Sequence, residues 1–354
     1  MTDTMPPTEA GSANETFIPI QYVQRTDVGR VRSENQDFAI TTSPDESLRY
    51  GYLLVVADGM GGHRGGATAS RMAGNIVREE FIAASKAPPT ESLHLALTRA
   101  NERIHNESLT NADLRGMGTT CSVLLVRGNT GWIAHVGDSR VYRVRNDQIE
   151  LMTQDHSLVA TMVREGLITE EEAEVHPRRN VLQRSMGVVE EIEVDVYDPF
   201  EILPGDSFIL CSDGLHGLVK SGEIRQVVTD LDPEKAVDRF IELALERGAH
   251  DNVTVIVARA GEPTEKPDVP PAPVEDDVVP TLERPVPQEP MEIHSAPTLE
   301  IDPSVYRQAE PGGAPSALKW IVIALLTVAA IGAVVLIVGE SAILGYLQKQ
   351  LGGR

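Results

Sequence analysis

An unbroken apolar run that stops on an acid sets the strongest limit on what this chain can fold into. Leu53-Leu54-Val55-Val56-Ala57 leads straight into Asp58 and a glycine-rich loop, Gly59-Met60-Gly61-Gly62-His63. The device recurs where Phe208-Ile209-Leu210-Cys211-Ser212 meets Asp213-Gly214, and where Trp132-Ile133-Ala134-His135-Val136-Gly137 meets Asp138-Ser139-Arg140. It stands reversed where Asp251-Asn252 precedes Val253-Thr254-Val255-Ile256-Val257. Taken singly, Asp-Gly after an apolar run reads as a hairpin turn. The copies are irregularly spaced, so internal repetition does not explain them. Together they predict strands whose ends gather carboxylates at one edge of a sheet structure, the oxygen-rich surrounding that magnesium and manganese require.

The rest of the chain from about 19 to 260 reads as one domain of strands and helices. Apolar or alternating runs predict strands at 51–57, 119–126, 131–136, 206–211 and 253–258. Ala69, Ala73, Ile76, Val77 and Phe81 recur at helical spacing within 66–85. Leu93, Ala96, Leu97, Ala100 and Ile104 do so within 92–108. Thr169 with Glu172 forms a capping box, and Asp232-Pro233 reads as the cap and first turn of a helix ending near Gly248.

Outside that domain the texture changes. Residues 1–18 are polar and read as a disordered tail without a secretory signal. Residues 261–317 are rich in proline and acids and lack a periodic apolar face, which predicts an extended linker with an r.m.s. span of ~40 Å. Within it, Pro280-Thr281-Leu282-Glu283 is echoed by Pro297-Thr298-Leu299-Glu300. Phosphorylation of Thr281 or Thr298 in such a segment would create a docking point for a phosphothreonine reader, although chance similarity in biased composition gives the same echo. Trp320 to Gly339 carries no charge. At about 1.5 Å per residue it matches the ~30 Å hydrocarbon core of a bilayer, so residues 318–340 are read as a single membrane helix and 341–354 as a short tail.

Net charge is −22, and no basic patch stands out to neutralise phosphates, which argues against nucleic-acid binding. Cys121 and Cys211 both sit in apolar strands and read as buried thiols, in keeping with a reducing compartment. Flanking charges at Arg307, Lys319, Lys349 and Arg354 scarcely bias the orientation of the span. The thiols and the missing signal favour a cytoplasmic N-terminal domain, which is the expectation.

Further segments complete a pattern: Thr26-Asp27-Val28-Gly29-Arg30-Val31-Arg32-Ser33-Glu34-Asn35-Gln36-Asp37, then Gly118-Thr119-Thr120, Gln154-Asp155-His156-Ser157 and His176-Pro177-Arg178-Arg179-Asn180. In this order, over residues 20–260, the chain resembles the type 2C metal-dependent serine/threonine protein phosphatases, in particular their bacterial branch. The resemblance implies an α+β fold, a four-layer αββα sandwich of two central sheets flanked by antiparallel helix pairs, with two or three Mn2+ or Mg2+ ions at one end. It implies that Asp58 bridges two ions, with the Gly59 carbonyl on one and Asp213 and Asp251 on the other. Asp138 would hold a third ion together with Asp213, and Asp37 would hold metal-bound water. Arg32 stands where the family grips phosphate. Two ions about 4 Å apart acidify a water between them and aim it at phosphorus, so no protein nucleophile is needed.

Met60 occupies the position of the family's acid histidine, so that role does not carry over to His63. Gln36 replaces the usual glutamate and lowers the negative charge beside the ions. His156 and His176 fall in or beside the variable segment 155–185 and read as loop-fixing residues, with substrate contact the alternative for either. The resulting expectation is a membrane-anchored phosphatase acting on phosphoserine and phosphothreonine proteins and opposing a transmembrane serine/threonine kinase. A catalytically weak binding module and a hydrolase of another phosphoester are the competing readings.

Overall fold

Polar ends and apolar middles organise the strands. The computed structural model describes residues 16–62 and 65–265. His63, the linker beyond residue 265, Thr281, Thr298 and the expected membrane span therefore lie outside the described residues. Among the described residues no helix is long and apolar enough to cross a membrane.

In chain order the elements are β1 (Thr16–Phe17), β2 (Ile20–Asp27), β3 (Asp37–Thr41), α1 (Pro44–Tyr50), β4 (Tyr52–Met60), α2 (Gly65–Ala83) and α3 (Pro89–Thr110). Next come β5 (Gly118–Thr119), β6 (Cys121–Arg127), β7 (Thr130–Val136), β8 (Arg140–Arg145), β9 (Gln148–Leu151), α4 (Leu158–Arg164) and α5 (Glu170–Glu174). The chain continues through β10 (Asp195–Val196), β11 (Phe200–Glu201), β12 (Ser207–Cys211), α6 (Asp213–His216), α7 (Ser221–Asp230), α8 (Pro233–Glu246), β13 (Val253–Ala260) and β14 (Thr264–Glu265).

Among the described residues two large antiparallel sheets result, one ordered β10-β7-β6-β4-β3 and the other β2-β13-β12-β8-β9, beside a two-stranded sheet of β1 and β14. Side-chain alternation explains why their central strands are apolar throughout. Leu53, Val55 and Ala57 of β4 face α2 and α3, where they join Phe81, Leu97 and Ile104. Leu54 and Val56 face the other way and meet Leu124, Phe208, Leu210 and Ile256 between the sheets. On the far side Ile209, Val255 and Val257 pack against Val237 and Phe240 of α8 and Ile224 of α7. A strand covered on both faces has no reason to alternate in polarity. The layers are thus helix pair, sheet, sheet, helix pair, the α+β architecture expected from the resemblance.

The capping expectations hold in detail. Thr169 and Glu172 exchange both bonds of a capping box, and Asp232 accepts from the Lys235 amide one residue before Pro233 opens α8. Pairing also runs past residues 19 and 260, because β1 joins β14 and Phe17 and Ile18 are buried. The tail boundary at 18 therefore moves outward: two apolar side chains inside the expected tail are part of the core.

Candidate active site

The Asp-Gly pairs are not hairpin turns. Asp58-Gly59 lies inside β4, Asp213-Gly214 opens α6, Asp138 sits in the bend between β7 and β8, and Asp251 stands two residues before the start of β13. Asp37, first residue of β3, stands opposite Asp58 in the sheet register. Strand ends from both sheets thereby bring Asp37, Asp58, Asp138, Asp213 and Asp251 within electrostatic reach of one another.

Hydrogen bonds to the backbone hold this arrangement. The Asp58 amide donates to Thr120 Oγ1 at 2.9 Å, and its carbonyl accepts from the Thr119 hydroxyl and the Thr120 amide. The Asp58 carboxyl remains available to the cluster. Ser212 Oγ donates to Asp37 Oδ2 at 2.7 Å, and the Thr254 amide donates to Ser212 Oγ. Asn252 accepts from the Gln36 amide and donates to the carbonyls of Val28 and Glu34, stapling the loop that carries Arg32. Arg32 reaches Asp251 at 2.7 Å and remains half exposed at the rim.

Two glycines at the site are required by close approach. A Cβ on Gly59 would lie 2.1 Å from the Gly66 carbonyl oxygen, and one on Gly214 would lie 1.9 Å from that of Asn252. Backbone oxygen cannot yield as a flexible side chain does. Gly214→Ala is therefore expected to lower the unfolding free energy by about 3 kcal/mol or more. A urea midpoint unchanged from the wild type would show that the Asn252 segment moves freely, contrary to this packing.

Charge is the conspicuous property of the cluster. Burial, followed by Asp37 and then Asp213, pushes Asp58 well above the usual carboxylate range. Burial and the neighbouring carboxyls raise Asp37 to about 7 and Asp138 to about 8, and Asp213 shifts the same way. Asp213 Oδ1 is buried without a hydrogen-bond partner. Among the described residues no three side chains are already closed into a metal-binding triad. The donor set nevertheless fits divalent cations: hard oxygen ligands whose mutual repulsion such ions relieve. Asp58, the Gly59 carbonyl, Asp213 and Asp251 would hold two ions, Asp138 a third, and Asp37 would act through water.

The fold that carries this cluster is found in known proteins. The protein phosphatase 2C family model matches residues 30–256. The chain belongs to this family. Its members are phosphoric monoester hydrolases, and the family is metal-dependent. A serine/threonine phosphatase, stp, of Listeria innocua is 37% identical over 241 residues, covering 66% of this chain and 93% of that protein. The serine/threonine phosphatase PstP/Ppp of Mycobacterium tuberculosis is 34% identical with a TM-score of 0.62, covering 70% of this chain and all of that one. A PstP catalytic domain in complex with two manganese ions is 33% identical, with a TM-score of 0.59 over 69% of this chain and 99% of that one.

Several supporting residues of the phosphatase domain escaped the sequence reading. Thr120, Ser212, Asn252 and Thr254 are small polar residues beside strand ends, where such residues usually serve turns. His216 is half-buried, its surroundings lower its pKa to about 3, and its Nε2–H donates to the Asp138 carbonyl at 3.0 Å. Adjacency to the motif aspartates was the one available signal for these residues. Arg30 is exposed and its side chain donates to the Leu245 carbonyl. Gln36 lies against Gly66 and Gly61, and His156 is buried.

Proposed function

We propose that the chain is a membrane-anchored protein serine/threonine phosphatase whose cytoplasmic domain hydrolyses phosphoserine and phosphothreonine and opposes a membrane-bound serine/threonine kinase. The observation that carries the reading is the half-buried cluster of mutually repelling aspartates with Arg32 at its rim. A site built for cation-assisted chemistry on an anionic substrate has this combination. The serine/threonine specificity of the named relatives supports the substrate class, and the uncharged stretch from Trp320 to Gly339 supports the anchor.

When bound, divalent ions supply a water acidic enough to attack phosphorus near neutral pH and polarise the phosphate oxygens. The chain does the rest. Asp58, Asp213 and Asp251 fix where the ions sit, and Asp37 orients solvent beside them. Arg32 clamps two phosphate oxygens through its planar fork and steadies the charge that develops there. The cysteines take no part: burial pushes both Cys121 and Cys211 up to about 12, so neither thiol supplies a thiolate.

Arg32→Ala is expected to lower kcat/KM for a phosphothreonine peptide by about 10- to 100-fold, with Arg32→Lys recovering only part of the loss. Equal kcat/KM in the alanine variant would remove Arg32 from the substrate site.

The substrate class is tested by giving the full chain, with Mn2+, a phosphothreonine peptide, a phosphotyrosine peptide and a small aryl phosphate. Preferential turnover of phosphothreonine is expected, and preference for the small ester would favour the competing hydrolase reading. In cell fractionation the full chain is expected with membranes and a chain ending at 265 in the soluble fraction. Equal distribution of the two would remove the anchor.

A further inference from the structure

The base of the segment 155–185 is tied to the Asp138 loop through a buried imidazole. His156 is 1% exposed. Its Nδ1 lies 3.1 Å from the Gly137 amide, which can only donate, so Nδ1 is the unprotonated nitrogen and the ring proton sits on Nε2. Nε2–H then donates to Asp195 Oδ2 at 3.0 Å, and Asp195 Oδ1 accepts from Arg184 at 2.6 Å. The His156 amide returns a bond to the Gly137 carbonyl at 2.7 Å, and the Gln183 amide closes the other end of the segment onto the His156 carbonyl. The neighbouring His135 also donates to the Gly137 carbonyl, with its ring centroid 4.8 Å from that of His156.

Gly137 can move little by itself. It sits at φ +114, where a Cβ would meet Thr120 at 2.5 Å. The next residue is Asp138, whose carbonyl is held by His216, and Ser139 Oγ bonds Thr120 Oγ1, the acceptor of the Asp58 amide. A displacement of His156 is therefore passed to the peptide that aims Asp138.

We propose that His156 is a positioning residue: by joining Asp195 to the Gly137 amide, it couples the 155–185 segment to the orientation of Asp138 and so sets divalent-ion affinity at the Asp138–Asp213 side of the site. The inference rests on the proposed use of this cluster for divalent ions. It assigns His156 no contact with substrate, because the imidazole is enclosed. A substrate that shifts the segment would change ion affinity through this linkage, and ion binding would reciprocally steady the segment.

Two near-isosteres separate the two arms of the ring. Asparagine at 156 places an amide oxygen near Nδ1 and keeps an acceptor for Gly137 while losing Asp195. Glutamine places its amide near Nε2 and keeps Asp195 while losing Gly137. Mn2+ binding to the full chain is measured by calorimetry, alongside phosphothreonine turnover as a function of Mn2+ concentration. His156→Gln is expected to weaken the weakest class of Mn2+ sites about tenfold and raise the half-activating Mn2+ concentration in parallel. Its kcat at saturating Mn2+ stays within about threefold of wild type. His156→Asn is expected to show a smaller loss, about threefold.

An unchanged Mn2+ isotherm in His156→Gln would overturn the proposal even if the variant were less stable. Should that variant fail to fold, Asp195→Ala removes the other end of the linkage, and its isotherm decides in the same way. Calorimetry also keeps the two readings apart. Wild-type protein that binds Mn2+ but hydrolyses nothing removes the phosphatase reading, while the variant isotherms still decide the role of His156.

Discussion

Asp58→Asn is expected to reduce Mn2+-dependent hydrolysis of a phosphothreonine peptide by about a thousandfold or more, while making the ion-free protein more stable. The two effects come from one cause. Asp58 is held through its backbone by Thr119 and Thr120, and asparagine leaves those bonds in place. Its carboxyl is held well above the usual carboxylate range by burial, by Asp37 and by Asp213. The amide cannot ionise, so it removes both the proposed ion ligand and the cost of ionising a carboxyl beside Asp37 and Asp213. Kinetics and thermal unfolding on the same preparation read both effects. A variant that keeps wild-type turnover would exclude Asp58 as a ligand, and one that merely unfolds would show that the carboxylate holds the fold together.

The second large effect is on stability. Asp138 and Asp37 are raised in the folded protein to about 8 and about 7, against an ordinary value of 3.8. Above pH 3.8 the folded ion-free state therefore keeps protons that the unfolded state has lost. Its stability falls as pH rises, until the folded groups themselves ionise at pH 7–8. Two histidines act with the opposite sign. His135 is lowered to about 4 and His216 to about 3, so their contribution is complete above pH 6.5 and is lost as pH falls below it.

Between pH 6.5 and pH 8 the carboxyl groups thus set the trend. The ion-free melting midpoint is expected to drop across that interval by on the order of 5 °C. Saturating Mn2+ is expected to raise it by about 10 °C at pH 8, and by less at pH 6.5, where protons compete for the same oxygens. Equal stabilisation at both pH values would mean that the ions bind away from these carboxyl groups.

How far the chain could be read in advance varies with what each element has to bury. β4, β6, β7, β12 and β13 are central strands, covered on both faces, and their apolar runs identify them directly. β2 and β8 are harder to read. β2 is mostly half-exposed polar residues after Ile20. In β8, Arg140, Arg143 and Arg145 alternate with Val141, Tyr142 and Val144 and pair outward with Asp155, Glu150 and Asp206. Charge at that density hides a strand whose partners lie elsewhere in the chain. The layer order came through family resemblance, because periodicity places side chains on faces without stating which face meets which.

The site divides in the same way. An aspartate at the end of an apolar run is conspicuous, so the acidic cluster was visible as a set of candidates. Its supports were not. Asn252 joins residues more than two hundred positions away, and Ser212 bonds an aspartate of the other sheet. Such bonds depend on tertiary closure, which local composition does not encode. The hairpin reading of Asp-Gly failed for a related reason: Gly59 and Gly214 answer close backbone approach, not chain reversal.

The most direct test is turnover of a phosphothreonine peptide by the full chain through one cycle of chelation. Hydrolysis is followed with Mn2+, after complete removal of the ion, and after its return. The expected result is loss to background on chelation and full recovery on readdition, in step with the rise in melting temperature. Hydrolysis that persists without a divalent ion, or an ion-loaded folded protein that leaves the phosphothreonine intact, would contradict a cation-assisted phosphatase built on this aspartate cluster.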